Sequence, residues 1–251
     1  MNSYFIGEKF THKKLNKMSK LFLIRHGESY YNSLNLFTGT RDVPLTDKGK
    51  CEAIRIGSYF KNFRIDVAYT SCLSRAKESL HIILEQSGHL KTLIHINAAL
   101  NERDYGLLSG RNKSEIEKEY GAEQLKKWRR SFYAAPPEGE SLREVFHRVV
   151  PFFKNYILND LRFGKNVLVV AHGNSLRALI KELDEISDTD IENIEVATGE
   201  VVCYRIDESG KFLKQKFHQQ LNNHKTPAVN HSVMSCFFNN EVNEKQLLKQ
   251  N

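Results

Sequence analysis

His26 and His172 are the residues whose placement could do chemistry. Each closes an uninterrupted apolar run and is followed at once by glycine. Leu21, Phe22, Leu23 and Ile24 lead into Arg25, His26 and Gly27, and Val167, Leu168, Val169, Val170 and Ala171 lead into His172 and Gly173. An imidazole can serve as nucleophile, base or, once protonated, cation. If a phosphoryl group is what moves, its oxygens need positive charge and its leaving group a proton. Arg25, Arg75 and His172 are the right types to supply that charge without a metal. The planar guanidinium fork suits phosphate oxygens better than a lysine does. A lone histidine at a strand end is more often a hydrogen-bonded structural residue, and a lone arginine a solvated one. The repeated figure reverses those odds.

The elements that must position these groups can be read from pattern. A short apolar run bounded by a glycine turn fits a strand buried on both faces, as in parallel sheets. Ligands of such sheets sit beyond the carboxyl ends of the strands. Two parallel strands ending in His-Gly would therefore bring both imidazoles to one edge. Between them, Thr46 can cap a helix with Ala53, Ile56, Phe60 and Phe63 on one face. Residues 65–70 read as a strand ending at Thr70 and Ser71, which places Arg75, just beyond, at the same edge. A helix with Ala76, Leu80, Ile83 and Leu84 on one stripe stops at Gly88. Residues 92–96 are a further strand, and a polar loop then carries Glu102 and Tyr105. Residues 29–40 read as a loop or broken helix. Ser114 is expected to open a charged helix, and a second helical segment runs through Leu125 and Trp128. Ser141 and Glu144 form a capping-box pattern ahead of a helix burying Val145, Val149, Phe152, Phe153 and Tyr156, with Pro151 a kink. Helical stretches follow through Leu183 and over 188–194, and 201–206 with 212–217 make a hairpin about Ser209 and Gly210. Alternating strands and helices argue for an α/β layered domain. Gly173 and Asn174 stand where a helix N-terminus would aim N–H groups at an anion.

The chain resembles the histidine phosphatase superfamily, which carries Arg-His-Gly near its start, and within it the cofactor-dependent phosphoglycerate mutases. The resemblance rests on Arg25, His26, Gly27, Glu28 and Ser29, then Asn32, Phe37, Thr38 and Gly39. It continues through Thr70, Ser71, Ser74, Arg75 and Ala76, then Glu102, Arg103, Tyr105 and Gly106. Asn112, Lys113, Trp128, Arg129, Arg130 and the stretch 171–179 complete it, so it spans about residues 19–216. It implies a three-layer sandwich with a mostly parallel central sheet flanked by helices. It implies that His26 is the phosphorylated nucleophile, that His172 is protonated, and that Glu102 is the general acid and base. Opposite protonation of the two histidines would need environments that push their pKa values apart, and Glu102 a raised one. Asn32, Thr38, Gly39, Tyr105, Lys113, Arg129 and Arg130 match substrate-binding positions. For 126–130 alone a solvated basic helix face is the commoner reading; the match at Trp128, Arg129 and Arg130 favours a clamp. The implied cofactor is 2,3-bisphosphoglycerate, which primes the phosphohistidine, with no metal. The implied partners are a small phosphorylated acid and a second copy of the chain. Only three residues separate Pro137 from Ser141, where longer mutases carry an insertion, so a shorter lid and some phosphatase activity are expected.

Composition sets the outer limits. The 251 residues suffice for one α/β domain with a sizeable core, and 40% hydrophobic with 27% charged residues is ordinary for a globular protein. A net charge of +7 favours anionic partners, phosphate metabolites and nucleic acid alike. No nucleic-acid motif of aromatic and basic residues is found, which leaves a basic binding module as a remote alternative. A broad phosphomonoester phosphatase on the same scaffold is the nearer one. No apolar run reaches membrane-spanning length. The four cysteines form no Cys-x-x-Cys pair, and reduced thiols in a cytoplasmic protein are expected. Residues 1–18 are expected to be a flexible extension, 19–217 the α/β domain, and 218–251 a flexible tail or one that closes over the site.

Overall fold

The computed structural model describes residues 19–206 and 211–215. The expected extension over 1–18 and tail over 218–251 lie outside the described residues, as does the turn at Ser209 and Gly210. Strand β1 is Lys20–Arg25, followed by the one-turn helix α1, Tyr30–Ser33, and by α2, Asp47–Phe60. Strand β2 (Val67–Thr70), α3 (Ser74–Ser87) and β3 (Leu93–Ile96) come next. Helices α4 (Lys113–Tyr120), α5 (Ala122–Arg130), α6 (Leu142–Phe152) and α7 (Leu158–Arg162) precede β4, Val167–Ala171. Helix α8 (Gly173–Leu183), β5 (Val201–Ile206) and β6 (Phe212–Gln215) complete it.

The sheet order is β3-β2-β4-β1-β5-β6. Strands β3, β2, β4 and β1 run parallel, and β5 and β6 are antiparallel additions at one side. The chain moves outward from β1 to β2 and β3, then returns to insert β4 beside β1. Both apolar runs are therefore central, and every residue of β4 is buried. One face of the sheet packs on α6 and α8, the other on α2 and α3. These are the three layers expected of an α/β sandwich.

Local signals explain most boundaries. Thr46 Oγ1 accepts the Gly49 N–H at 3.1 Å and caps α2. Ser141 and Glu144 make the reciprocal capping box that opens α6. Gly88 ends α3 at φ +79°. Four expectations need correcting. Helix α4 is capped by Asn112, whose Oδ1 accepts the Ser114 N–H at 2.9 Å, so Ser114 lies inside the helix. Beyond Pro151 the chain makes one π-helical turn, Phe153–Ile157. That wider turn rotates the following residues, so that Ile157 and Leu161 reach the core while Tyr156 is 58% exposed. The 188–194 stretch holds only a short 3₁₀ turn, Asp190–Asn193. Cys72 is a free thiol, whereas Cys51 is disulfide-bonded, against the expectation of reduction.

Candidate active site

Strand register brings the two histidines together. Arg25 of β1 pairs with Ala171 of β4, so the next residues, His26 and His172, leave neighbouring strands side by side. Their ring centroids are 4.9 Å apart at an interplanar angle of 61°. Both are buried. His26 Nδ1 lies 2.6 Å from Gly27 O and donates to it, which leaves Nε2 as the basic nitrogen. Arg75 Nε–H approaches that nitrogen at 3.3 Å. His172 Nε2 lies 2.7 Å from Ser71 Oγ, at the end of β2, and its Nδ1 has no partner among the described residues.

Arg75 enters from the first turn of α3 and is 1% exposed. Its Nη1 and Nη2 donate to Arg41 O and Gly39 O, at 2.8 and 2.9 Å. The guanidinium is thus held against His26 by the loop that also carries Thr38. Burial lowers its pKa to about 10, so it stays charged at neutral pH. Burial, then the charge of Arg75, drives both His26 and His172 well below the ordinary histidine value. Both are pushed the same way, with burial and Arg75 leading for each; the Gly27 carbonyl works against the shift at His26 alone.

Glu102 sits on the loop after β3, and three donors converge on its Oε1. They are the backbone N–H groups of Arg103 (2.8 Å) and Asn174 (3.1 Å), and Asn174 Nδ2 (3.1 Å). So the N–H of Asn174 does face a carboxyl oxygen, but one belonging to the protein. Asn174 Nδ2 also reaches Tyr105 Oη at 3.2 Å. Burial pushes the Tyr105 hydroxyl up, but Arg103, stacked 4.5 Å from its ring, brings it to a net value below the ordinary one.

One pocket gathers the remaining expected residues. Arg25, Asn32, Thr38, Gly39, Glu102, Tyr105, Lys113, Arg129, Arg130, Gly173 and Asn174 all line it. His26, Arg75 and His172 are not on its lining. They are buried beside it, at the ends of β1 and β4 and the start of α3. Thr38 Oγ1 and Arg25 Nε are buried in its wall without partners among the described residues, so two donors remain for a ligand. Lys113 is lowered by burial, then by Arg129 and Arg25. Asn32 Oδ1 is taken by the Ser29 N–H and hydroxyl, at 3.1 and 2.8 Å, which leaves its NH₂ end for a ligand.

Sequence reasoning missed several residues here. Arg177 joins Asn174 Oδ1 (3.0 Å) to the last carbonyls of α5, Arg129 O (3.2 Å) and Arg130 O (2.8 Å), and so fixes the clamp to α8. Arg148 holds the Glu102 loop by donating to Ala99 O (2.8 Å), Asn101 O (3.0 Å) and Glu102 O (3.1 Å), with Glu140 as its ion-pair partner. Phe37 was read only as part of a motif, and Glu195 and Val196 gave no signal at all. Among the described residues, no group of three or more His, Cys, Asp or Glu is placed to hold a metal, and no helix is long and apolar enough to cross a membrane.

Comparison with known proteins adds to this geometry. The family model for the histidine phosphatase superfamily (branch 1) matches residues 21–218. A 2,3-bisphosphoglycerate-dependent phosphoglycerate mutase of Cytophaga hutchinsonii is 49% identical over 72% of this chain and 85% of its own. A phosphoglycerate mutase of Schizosaccharomyces pombe is 44% identical over 78% of this chain and 94% of its own. Among solved structures, Bacillus stearothermophilus YhfR superposes with a TM-score of 0.69 at 26% identity, covering 78% of this chain and 95% of that one.

Proposed function

This chain belongs to the histidine phosphatase superfamily, and we propose that it is a 2,3-bisphosphoglycerate-dependent phosphoglycerate mutase, interconverting 3-phosphoglycerate and 2-phosphoglycerate in glycolysis and gluconeogenesis. The observation that carries this reading is the continuity of the site. The phosphoryl-accepting end, His26 with His172 and Arg75, adjoins a single pocket whose walls hold Glu102 and the cationic set Lys113, Arg129 and Arg130. The names of the relatives at 43–49% identity support it independently.

In this mechanism His26 Nε2 attacks phosphorus, while the Gly27 carbonyl keeps the proton on Nδ1. Arg75 and Arg25 hold the equatorial oxygens. His172 is neutral as its surroundings stand. An anionic phosphate entering between the guanidinia offsets their charge, raises its pKa and lets it protonate and share the load. Glu102 Oε1 is saturated by three donors, so the second oxygen, Oε2, is the one to exchange a proton with the substrate hydroxyl. Lys113, Arg129 and Arg130 hold the carboxylate and the distal phosphate while the intermediate turns over. The unpartnered Thr38 Oγ1, Arg25 Nε and His172 Nδ1 fit a polyanionic cofactor such as 2,3-bisphosphoglycerate, which supplies the priming phosphoryl group. No metal is part of the proposal.

The His26→Ala variant tests it. Mutase turnover should fall by about three orders of magnitude or more. A mass spectrum after incubation with 2,3-bisphosphoglycerate should show one added phosphate on the wild-type chain and none on the variant. Near-normal turnover in the variant would falsify the mechanism. Hydrolysis of bisphosphoglycerate outrunning mutase turnover would instead make the protein a phosphatase. The partners in this reading are a small phosphorylated acid and a second copy of the chain, docked at strand β3, in the cytoplasm.

A further inference from the structure

Arg130 is the last residue of α5, and both terminal nitrogens of its guanidinium are engaged within the protein. Nη2 donates to Glu195 Oε2 at 2.6 Å and Nη1 to Ile194 O at 3.5 Å. One residue further on, Val196 O takes Arg25 Nη1 at 2.6 Å. Residues 194–196 thus lie across two of the pocket's guanidinia, and Glu195 and Val196 are part of its wall. Glu102 and Glu195 are the two acids of that wall, and they differ in kind. Glu102 is buried with one oxygen saturated, whereas the Glu195 side chain is 60% exposed and its pairing is with Arg130. The hydrogen bond from Arg130, with Arg129 and Arg25 beyond it, holds the Glu195 carboxyl below the ordinary glutamate value, so it is ionised at neutral pH.

We propose that Glu195 is a resident counter-ion of Arg130, which the carboxylate or phosphate of an incoming acid must displace, and that it thereby sets how tightly the pocket binds acids and how readily it releases them. Arg130 presents a two-pronged donor to one anion at a time. In this structure one prong, Nη2, is held by a carboxylate from the protein itself, of the same chemical type as one end of the substrate, and the other by the Ile194 carbonyl. An exposed ion pair is weak enough to exchange with a ligand and strong enough to lower its affinity measurably. The identity of the acid rests on the mutase reading. The competition does not, since any small oxyanion would meet it.

The test compares the wild-type protein with Glu195→Gln, which keeps the shape and removes the charge. Calorimetry with inorganic phosphate, alone, reports anion affinity without relying on turnover, and mutase kinetics are run in parallel. The Gln variant should bind phosphate about two- to fivefold more tightly, the span open to an exposed pair, and its KM for 3-phosphoglycerate should fall in step. Matching melting temperatures establish that both proteins are folded. A phosphate affinity that is unchanged or weaker in the variant overturns the proposal, because Glu195 would then be idle or would be orienting Arg130 for its ligand. If neither protein shows mutase turnover but phosphate binding tightens, the mutase reading falls and this one stands.

Discussion

At the scale of single residues, the site sets buried guanidinium charge against two imidazoles that burial keeps neutral. His26 and His172 are buried beside one another, with Arg75 donating to one of them. Burial comes first among the causes that lower both pKa values, and the neighbouring guanidinium second. This has a consequence for stability. A histidine takes up a proton near pH 6.5 when unfolded, but these two resist it when folded. The unfolded state therefore binds more protons below that pH, and stability falls as pH falls. The contribution is complete above about pH 6.5 and is lost at up to about 1.4 kcal/mol per pH unit for each histidine. Denaturation midpoints taken between pH 7.5 and 5 should drop for the wild-type protein, and drop less for a His26→Asn, His172→Asn double variant. Parallel curves would show that these histidines are not the groups responsible. Saturating inorganic phosphate should blunt the effect, because its charge favours the protonated imidazole.

At the scale of elements, the turn after β1 works because two glycines touch. A Cβ on Gly49, in the first turn of α2, would lie 2.1 Å from Glu28 O, and one on Gly27 would lie 2.1 Å from Gly49 O. The backbone that carries His26 is thus packed directly on a helix backbone. Gly49→Ala must push the two apart, at a cost of about 1–3 kcal/mol, and should lower kcat because His26 moves with the turn. Gly88→Ala is the control. Its φ is +79° but no atom lies within 4 Å of the added carbon, so it should cost about 1–2 kcal/mol in strain and leave kcat alone. Urea titrations and initial rates on the two variants separate these outcomes; equal kcat in both would remove the argument. The sequence displays neither contact, because His-Gly reads as a turn whatever packs on it. The π-helical turn after Pro151 is a similar case. The proline announced a disturbance, but the sense of rotation that exposed Tyr156 came from packing on the sheet.

At the scale of the whole molecule, one sheet edge stands out. All four residues of β3 are exposed, with Leu93 at 60%, Ile94 at 39% and Ile96 at 55%, and the strand has no neighbour beyond it among the described residues. Proteins usually blunt such an edge, and an apolar one invites a further strand. The homodimer proposed above would join two such edges about a two-fold axis, which is self-complementary. Light scattering should then give twice the 29.0 kDa of one chain. Ile96→Lys should shift it toward the single-chain mass, and a wild-type protein that is monomeric at all concentrations would dispose of the idea. The two buried strands, the caps at Thr46 and Ser141, the stop at Gly88 and most of the pocket lining could be read from the chain, because period, turn chemistry and motif are properties of neighbours in sequence. What the chain by itself determined was which groups come to the edge of the sheet. Only the tertiary structure decided how they act on one another. The shared lowering of two histidines, the saturation of one oxygen of Glu102 and the pairing of Arg130 with Glu195 depend on distances between residues far apart in sequence, and on how much water those distances leave.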